Sequence, residues 1–229
     1  MKVAVQIPIK SRSSTRVPNK NFRDLAGKPF SCWLLDEVCN FCPKDWDIYV
    51  DSENKSAHDF FENRYNDRLL FHQREEWFAS DAANGNHLMH QFVTMHPEYD
   101  VIAQMYVTAI SLKGEVIMEA MNAFMEALDK YDSMLLVTEN TGWYWHNGRP
   151  LNYDPNRPDG LPRSQDAVVY EETTGLYAIT RDAALRTGCR IGKNPLMYKV
   201  PKKFAMDVDT MEDFEEAQAR LVGRNCGDL

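Results

Sequence analysis

Residues 2–27, KVAVQIPIKSRSSTRVPNKNFRDLAG, combine an apolar strand pattern with a cationic loop, and the rest of the chain is interpreted from this stretch. β-Branched residues recur at the start of this stretch with few charges between them, as at Val3, Val5 and Ile7. That composition is typical of a buried strand, which we predict over residues 2–9. A loop rich in cations and hydroxyl groups follows, and its candidate functional residues are Lys10, Arg12, Arg16, Lys20 and Asn21.

The cations of this loop are close enough in sequence to repel one another unless an anion or water screens them. Open α/β sheets bind ligands at the carboxyl ends of their strands, so a basic loop directly after the first strand predicts a polyphosphate site. A solvated basic loop is the alternative that these residues leave open.

Strand-like and helix-like patterns alternate along most of the chain. Apolar runs of strand length occur at residues 47–50, 69–72, 101–107, 133–138 and 175–179, and an edge strand is predicted at 197–200. Helical periodicity fills several intervals, with helices predicted over residues 30–39 and 86–96 and a clear amphipathic pattern over 116–128. This order predicts an α/β fold of the Rossmann-like type, a mostly parallel sheet with helices on both faces.

The alternation breaks between residues 139 and 168, where turn residues and aromatic side chains replace any helical period. We predict one domain over residues 1–229 with an inserted β-rich flap at about residues 140–170. The flap is either an irregular part of the active site or a projection that meets a partner subunit, and a homodimer is the expected assembly.

Composition narrows the function class. The 229 residues have a formal net charge of −8, so the surface as a whole repels nucleic acid, and no nucleic-acid partner is expected. Apolar runs stay well short of a membrane span, which favours a cytoplasmic protein with no membrane partner. An odd number of cysteines, five, argues against a disulfide framework and predicts reduced thiols.

Two carboxylates near the end of the chain form a second chemically distinctive place. Asp207 and Asp209 lie two positions apart, so both point to one side of an extended backbone. Beside a polyphosphate they would suit Mg²⁺ or Mn²⁺, which prefer oxygen ligands shared between carboxylates and phosphates. Thr210 and Asp213 also have the spacing of a helix cap, which is the structural alternative for the acids of this segment but does not explain Asp207.

Taken together, these segments resemble the acylneuraminate cytidylyltransferases, or CMP-sialic acid synthetases, which are related to the 3-deoxy-manno-octulosonate cytidylyltransferases. The resemblance extends over nearly the whole chain, through IPIKSRSSTRVPNKNFRDLAGKP, QREEWFASDAANGN, AQMYVTAISLK, RSQDAVVYEETTGLYAI and AMDVDTMEDFEEA. It implies an enzyme that joins CTP to a 2-keto-3-deoxy sugar acid, such as a sialic acid-like nonulosonate, to give a CMP-sugar and pyrophosphate.

The resemblance also implies residue roles. The phosphate and catalytic cations fall on Lys10, Arg12, Arg16 and Lys20 with Asn21, and the metal carboxylates fall on Asp207 and Asp209. Cytosine and ribose contacts fall on Arg74, Ser80, Asp81 and Asn86, and sugar contacts fall on Gln104, Arg163 and Gln165. For Gln104, a side chain bonded to the backbone at a strand end is an equally simple explanation. Where the family's strand usually ends QPTSPLR, this chain reads QMYVTAISLK, without the prolines and the arginine.

Three other functions remain open from the residues. A nucleotidyltransferase that loads a sugar phosphate or polyol phosphate would give a CDP-linked product and would need an extra cationic pocket. A glycosyltransferase that consumes a nucleotide sugar could also place Asp-x-Asp at a strand edge. A catalytically silent protein would bind CTP without releasing pyrophosphate.

Overall fold

The fold is taken from a computed structural model, which describes residues 1–11, 16–157 and 159–225. The helices are α1 (Cys32–Phe41), α2 (Ser56–Tyr65), α3 (Gly85–Met95), α4 (Gly114–Glu126), α5 (Arg181–Thr187) and α6 (Met211–Asn225). The strands of the main sheet are β1 (Val3–Pro8), β4 (Asp47–Ser52), β5 (Leu69–Gln73), β6 (Val101–Met105), β7 (Ser133–Thr141), β10 (Val168–Thr180) and β11 (Pro195–Lys199). Short hairpin strands are β2 (Asp24–Leu25), β3 (Lys28–Pro29), β8 (Trp145–His146) and β9 (Arg149–Pro150).

The described residues form a main sheet with the strand order β11-β7-β10-β6-β1-β4-β5. β1 is an interior strand, parallel to β4 on one side and to β6 on the other. β10 runs antiparallel to both β6 and β7, and β11 returns to the parallel direction beside β7. The prediction of a mostly parallel sheet is therefore confirmed, with β10 as the strand that departs from it.

Helices cover both faces of this sheet, as predicted. On one face, α1 and α4 pack on a core that includes Ile7, Leu35 and Phe124. On the other, α3 and α5 pack on a smaller core that includes Phe92 and Ile102. Every residue from Val3 to Ile7 is buried, because a central strand of such a sheet has no face toward water.

Local capping sets two of the helix starts. The Asn84 side chain accepts hydrogen bonds from the first turn of α3, and the His87 ring accepts one from the Asn84 backbone. The Thr180 hydroxyl accepts a hydrogen bond from Ala183 N at the start of α5.

Two predicted elements have different boundaries in the structure. The helix predicted over residues 30–39 begins two residues later, and the strand predicted over 101–107 ends at Met105, where the chain turns into the cleft described below.

The segment at about residues 140–170 leaves the sheet as a β-rich projection. β7 and β10 continue as an antiparallel ribbon that pairs Val168 with Thr141, and the hairpin of β8 and β9 lies beyond it. The strand predicted over 175–179 is longer than expected, because its first half belongs to this ribbon. Within the described residues, every helix is too short or too polar to cross a membrane.

Candidate functional site

A cleft of about 680 Å³ lies where the chain leaves β1 and β6. Segments that are remote in sequence meet there: the loop after β1, residues 74–88, residues 106–108 and residues 207–209. The predicted site residues that line it are Lys10, Arg16, Lys20, Asn21, Arg74, Ser80, Asp81, Asp207 and Asp209. Arg12, also predicted here, lies outside the described residues.

Asp209 lies at the centre of the charged part of the cleft. Its Oδ1 is 3.2 Å from Arg16 Nη2 and 3.5 Å from Lys20 Nζ. The Lys20 side chain is only 9% exposed, and its ammonium donates a hydrogen bond of 2.9 Å to Val208 O. Burial lowers the pKa of Lys20, and the charges of Asp209 and Asp207 partly offset that effect. These contacts keep a desolvated cation at the floor of the cleft.

One carboxylate oxygen of Asp207 accepts no hydrogen bond from the described residues. Its Oδ1 is buried and has no hydrogen-bond partner among the described residues. A buried carboxylate oxygen that accepts no hydrogen bond destabilises the folded state unless a ligand binds to it. The described residues contain no cluster of three His, Cys, Asp or Glu side chains that could hold a metal alone. Two carboxylates with an open oxygen fit a Mg²⁺ ion that takes its remaining ligands from water and substrate phosphates.

The backbone around the two carboxylates is held from both sides. Val208 N donates to Thr108 O at 3.1 Å, which ties the segment to the chain just after β6. Thr210 and Asp213 form the predicted cap of α6, since Thr210 N donates to Asp213 Oδ2 and Asp213 N donates to the Thr210 hydroxyl. The cap therefore accounts for Thr210 and Asp213 but leaves Asp207 facing the cleft.

The loop after β1 is anchored to the neighbouring strands. Asn21 Nδ2 donates to Lys10 O at 2.9 Å, which closes the loop on itself. Ser11 donates to Glu53 Oε1 through both its backbone nitrogen and its hydroxyl. Lys10 Nζ reaches Asp81 Oδ1 at 3.3 Å across the cleft, a pair with both side chains in contact with water. Asn21 thus supports the loop, in addition to lining the cleft.

Arg74, predicted to contact the nucleoside, is almost wholly buried at 1% exposure. Its guanidinium lies 3.5 Å from Asp51 Oδ1 and 3.3 Å from Glu53 Oε2. Glu53 also accepts hydrogen bonds from Ser11, so Arg74 supports the loop after β1 through Glu53. Arg74 is therefore held in place by two carboxylates, and the small exposed part of its side chain lines the cleft.

Asn86 lies outside the set of described residues that line the cleft. Its Oδ1 accepts from Arg190 N at 3.2 Å and from Cys189 Sγ at 3.3 Å, so it holds the loop after α5. The nucleoside contact of Asn86 stays a prediction, and the structure adds that its side-chain oxygen is engaged by the loop after α5.

Gln104 is fully buried, and its amide bonds to protein groups at both ends. Nε2 donates to Gln6 Oε1 and to Gly85 O, and Oε1 accepts from the Tyr106 hydroxyl. The sugar contact of Gln104 stays a prediction, and Tyr106, which bonds to Gln104, lines the cleft.

Arg163 and Gln165 lie on the projection, outside the set of described residues that line the cleft. Arg163 forms an ion pair with Asp166 at 2.6 Å, and Gln165 is exposed. Within one chain the fold does not bring either residue to the site.

Sequence reasoning missed the far end of the cleft, which is lined by Tyr106, Thr174 and Arg190. These residues come from three separate elements, so no spacing in the sequence relates them. The one available signal was the missing arginine of QMYVTAISLK, where the family's strand usually ends QPTSPLR.

Comparison with known proteins gives a consistent result. A family model described as cytidylyltransferase matches residues 7–222. The N-acylneuraminate cytidylyltransferase of Oncorhynchus mykiss is 26% identical over 220 residues, which cover 91% of this chain and 48% of that protein. This chain therefore spans about half the length of that relative. The pseudaminic acid cytidylyltransferase of Campylobacter jejuni strain 81-176 is 23% identical over 214 residues, with 90% of each chain covered.

Solved structures share the fold. A CMP:2-keto-3-deoxy-manno-octonic acid synthetase complexed with CTP superposes with a TM-score of 0.65 at 14% identity, covering 98% of this chain and all of the other. The 4-diphosphocytidyl-2C-methyl-D-erythritol synthase of Anaerococcus prevotii gives a TM-score of 0.68 at 12% identity, with 96% of each chain covered.

Proposed function

Because this chain belongs to the cytidylyltransferase family, we propose that it transfers CMP from CTP to the anomeric hydroxyl of a 2-keto-3-deoxy sugar acid of the sialic acid type. The oxygen of that hydroxyl bonds to the α-phosphorus and loses its proton, the bond to the β-phosphate oxygen breaks, and pyrophosphate leaves. The observation that supports this most directly is the convergence of Lys20, Arg16 and two carboxylates in one cleft.

Phosphoryl transfer of this kind needs positioning and charge neutralisation more than a protein nucleophile. Lys20 is held rigidly by Val208 O and is buried, so its charge acts in a low-dielectric environment. Arg16 is more exposed and contacts the same carboxylate. In the proposal, both side chains bind the β- and γ-phosphates and stabilise the charge that builds on the departing pyrophosphate.

The charges of the cleft also favour a divalent metal. The cations Arg16 and Lys20 are balanced by Asp207 and Asp209, whereas a nucleoside triphosphate brings about four further negative charges. Asp207 and Asp209 would hold Mg²⁺ or Mn²⁺, and such an ion neutralises phosphate charge and polarises the phosphorus centre when bound. Asp207 Oδ1 supports this assignment, because it is a buried carboxylate oxygen that accepts no hydrogen bond from the described residues.

The remaining parts of the cleft are assigned to the two organic groups. Phe78, Ser80 and Asp81 line the side next to β5, where we place the nucleoside. Tyr106 and Thr174 line the opposite side, where we place the sugar acid. A reaction that consumes CTP also places the enzyme in the compartment that holds CTP, so we propose that it acts in the cytoplasm.

A pyrophosphate-release assay tests the proposal. The purified protein is incubated with Mg²⁺, one of the four common nucleoside triphosphates and one acceptor, drawn from sugar acids, sugar phosphates and polyol phosphates. We expect release that needs both CTP and a 2-keto-3-deoxy sugar acid. Release with a sugar phosphate or polyol phosphate in place of the acid would instead support the CDP-forming alternative, and CTP binding without release would indicate a silent protein.

A further inference from the structure

The far end of the cleft contains a cation that the phosphate chemistry does not use. Arg190 lies in the loop after α5 and packs on Tyr177 of β10, with its guanidinium carbon 3.8 Å from the ring centroid. β10 is two strands away from β1 in the sheet, a separation of roughly 10 Å. Arg190 therefore enters the cleft from a different part of the sheet than the cations of the loop after β1.

The Arg190 guanidinium is held in one orientation. Nη1 lies 3.1 Å from the Tyr106 hydroxyl, and Nη2 lies 3.1 Å from the Tyr177 hydroxyl. Its one acidic neighbour recorded among the described residues is Glu172, at the longer distance of 3.6 Å. A planar guanidinium fixed by stacking and two hydroxyls is a rigid donor, suited to recognising a carboxylate.

Thr174 supplies a second, independent observation. Its Oγ1 is buried and has no hydrogen-bond partner in the described part of the chain, yet Thr174 lines the same cleft as Arg190. The pairing of β10 with β7 shifts register between Glu172 and Tyr177, which is the irregularity that places Thr174 at the cleft. A buried hydroxyl that has no hydrogen-bond partner in the protein is expected where a bound ligand supplies that partner.

Gly85 leaves the space that this arrangement needs. A Cβ atom at Gly85 would lie 2.3 Å from the Tyr106 hydroxyl and 2.4 Å from Arg190 Nη1. Both neighbouring atoms are the ends of side chains. A larger residue at position 85 would therefore displace these two side chains rather than the backbone. The absence of a side chain at Gly85, in the first turn of α3, therefore leaves room for the Arg190 guanidinium.

From this geometry we infer that Arg190 binds the carboxylate of the acceptor, with the Thr174 hydroxyl as a second contact, and so determines that the acceptor is an acid. Arg190 reaches the cleft from the loop after α5 and lines it together with Tyr106 and Thr174. The inference rests on the proposed function, since it concerns the acceptor of that same reaction.

The test compares a sugar acid with its carboxamide as acceptors for the wild type and for Arg190→Gln. Loss of a charge-assisted contact corresponds to a change of roughly tenfold to a hundredfold. We expect the wild type to have a KM for the carboxamide higher than its KM for the acid by that factor. Arg190→Gln should raise the KM for the acid by the same factor, remove most of the difference between the two acceptors, and leave the KM for CTP unchanged.

Two further variants complete the design. Arg186→Gln is the matched control, because Arg186 lies close in sequence but pairs with Asp132 outside the set of described cleft residues. It should keep the wild-type preference for the acid. Thr174→Val removes the unpartnered hydroxyl, so it should raise the acceptor KM several-fold while the thermal midpoint stays the same or rises. A merely structural threonine would show the opposite pattern.

The outcomes separate the two claims. If Arg190→Gln prefers the acid over the carboxamide as strongly as the wild type does, the assignment of Arg190 is wrong while the proposed function stands. If the wild type releases pyrophosphate with none of the sugar acids, the proposed function fails and this inference fails with it.

Discussion

Lys20 and Asp209 show how single residues of the cleft combine stability with proposed function. The ammonium of Lys20 is buried beside an aromatic ring, Phe30, and still contacts a carboxylate and a backbone carbonyl. Burying a charge without such partners would cost several kcal/mol. These side chains are therefore constrained by the fold before any ligand arrives.

Asp209→Asn should abolish most turnover while the fold survives. The amide keeps the shape of the side chain but removes one negative charge from the proposed metal site, and metal-ion stabilisation is worth several kcal/mol, or roughly a hundredfold or more in rate. Pyrophosphate release at saturating CTP measures the change. Asp129→Asn, an exposed carboxylate outside the set of described cleft residues, is the control. Near-normal turnover of Asp209→Asn at ordinary Mg²⁺ would refute the metal assignment.

Lys20→Met should weaken CTP binding and slow pyrophosphate release. Methionine keeps the buried aliphatic part of the side chain but removes a contact to phosphate worth roughly 1.5 to 3 kcal/mol. Calorimetric titration of CTP and steady-state rates measure the two effects. Lys113→Met removes a lysine that pairs with Glu37 outside the described cleft lining and should change neither. Unchanged CTP affinity in Lys20→Met would mean that this lysine is only structural.

At the scale of elements, the start of α6 positions the two carboxylates. Thr210→Ala removes the hydroxyl that accepts from Asp213 N, a capping loss of about 0.5 to 2 kcal/mol. Because Asp209 directly precedes the cap, we expect a lower free energy of unfolding together with a higher Mg²⁺ requirement for turnover. Thr94→Ala, whose hydroxyl bonds within α3, should change neither by a comparable amount. A stable Thr210→Ala would show that packing alone holds this turn.

His72 joins β5 to α3 and gives the fold a pH dependence. Its Nε2 lies 3.3 Å from Gln91 Oε1, which can only accept, so Nδ1 accepts from His96 Nε2 at 2.9 Å. Burial lowers the pKa of His72 below its ordinary value of 6.5. Between 6.5 and the lower folded-state pKa, the unfolded chain binds the proton more readily than the folded protein, so this contribution to stability is lost as the pH falls.

His72→Gln tests this linkage through denaturant unfolding over a range of pH values below 7. We expect the free energy of unfolding of the wild type to decrease with falling pH more steeply than that of the variant. His90→Gln, an exposed histidine on α3, should keep the wild-type slope. Parallel pH profiles for the wild type and His72→Gln would show that other groups dominate the acid response.

At the scale of the whole molecule, the projection at about residues 140–170 leaves an unusual amount of apolar surface in water. Trp145, Leu151 and Leu161 are 60%, 63% and 57% exposed. Each Å² that a partner covers is worth roughly 25 cal/mol, and a symmetric dimer is the commonest way to cover such a surface. Arg163 and Gln165 lie on the same projection, so an assembly could bring them to the active site of a neighbouring chain.

We therefore predict a homodimer at micromolar concentration, measured by sedimentation velocity. Replacing both Leu151 and Leu161 with Glu should shift the species toward the monomer mass of 26.5 kDa and reduce turnover. Met95→Glu, an exposed residue on α3 outside the projection, should leave the assembly unchanged. A fully active wild-type protein that sediments as a single species near 26.5 kDa would remove both the dimer and its role in the site.

Local sequence pattern was enough to predict the main strands and helices and the position of the cationic loop after β1. Side-chain periods of 2.0 and 3.6 residues report which face of an element is buried, so the strand at Val3–Pro8 and the helix at Gly114–Glu126 could be predicted from local pattern. The cap at Thr210 and Asp213 could be predicted for the same reason, since its hydrogen bonds span only three residues.

Which distant groups meet could not be predicted from the sequence. Lys20 and Val208 bond across 188 positions, Asn86 turns to the loop of Arg190 across 104 positions, and Gln104 is enclosed by Gln6 and Tyr106. Periodicity shows that a face is buried but not which other element covers it, because that depends on strand order and on the register of the packed sheet. The cationic loop after β1 could therefore be recognised in the sequence, whereas the grouping of Tyr106, Thr174 and Arg190 became visible only in the folded chain.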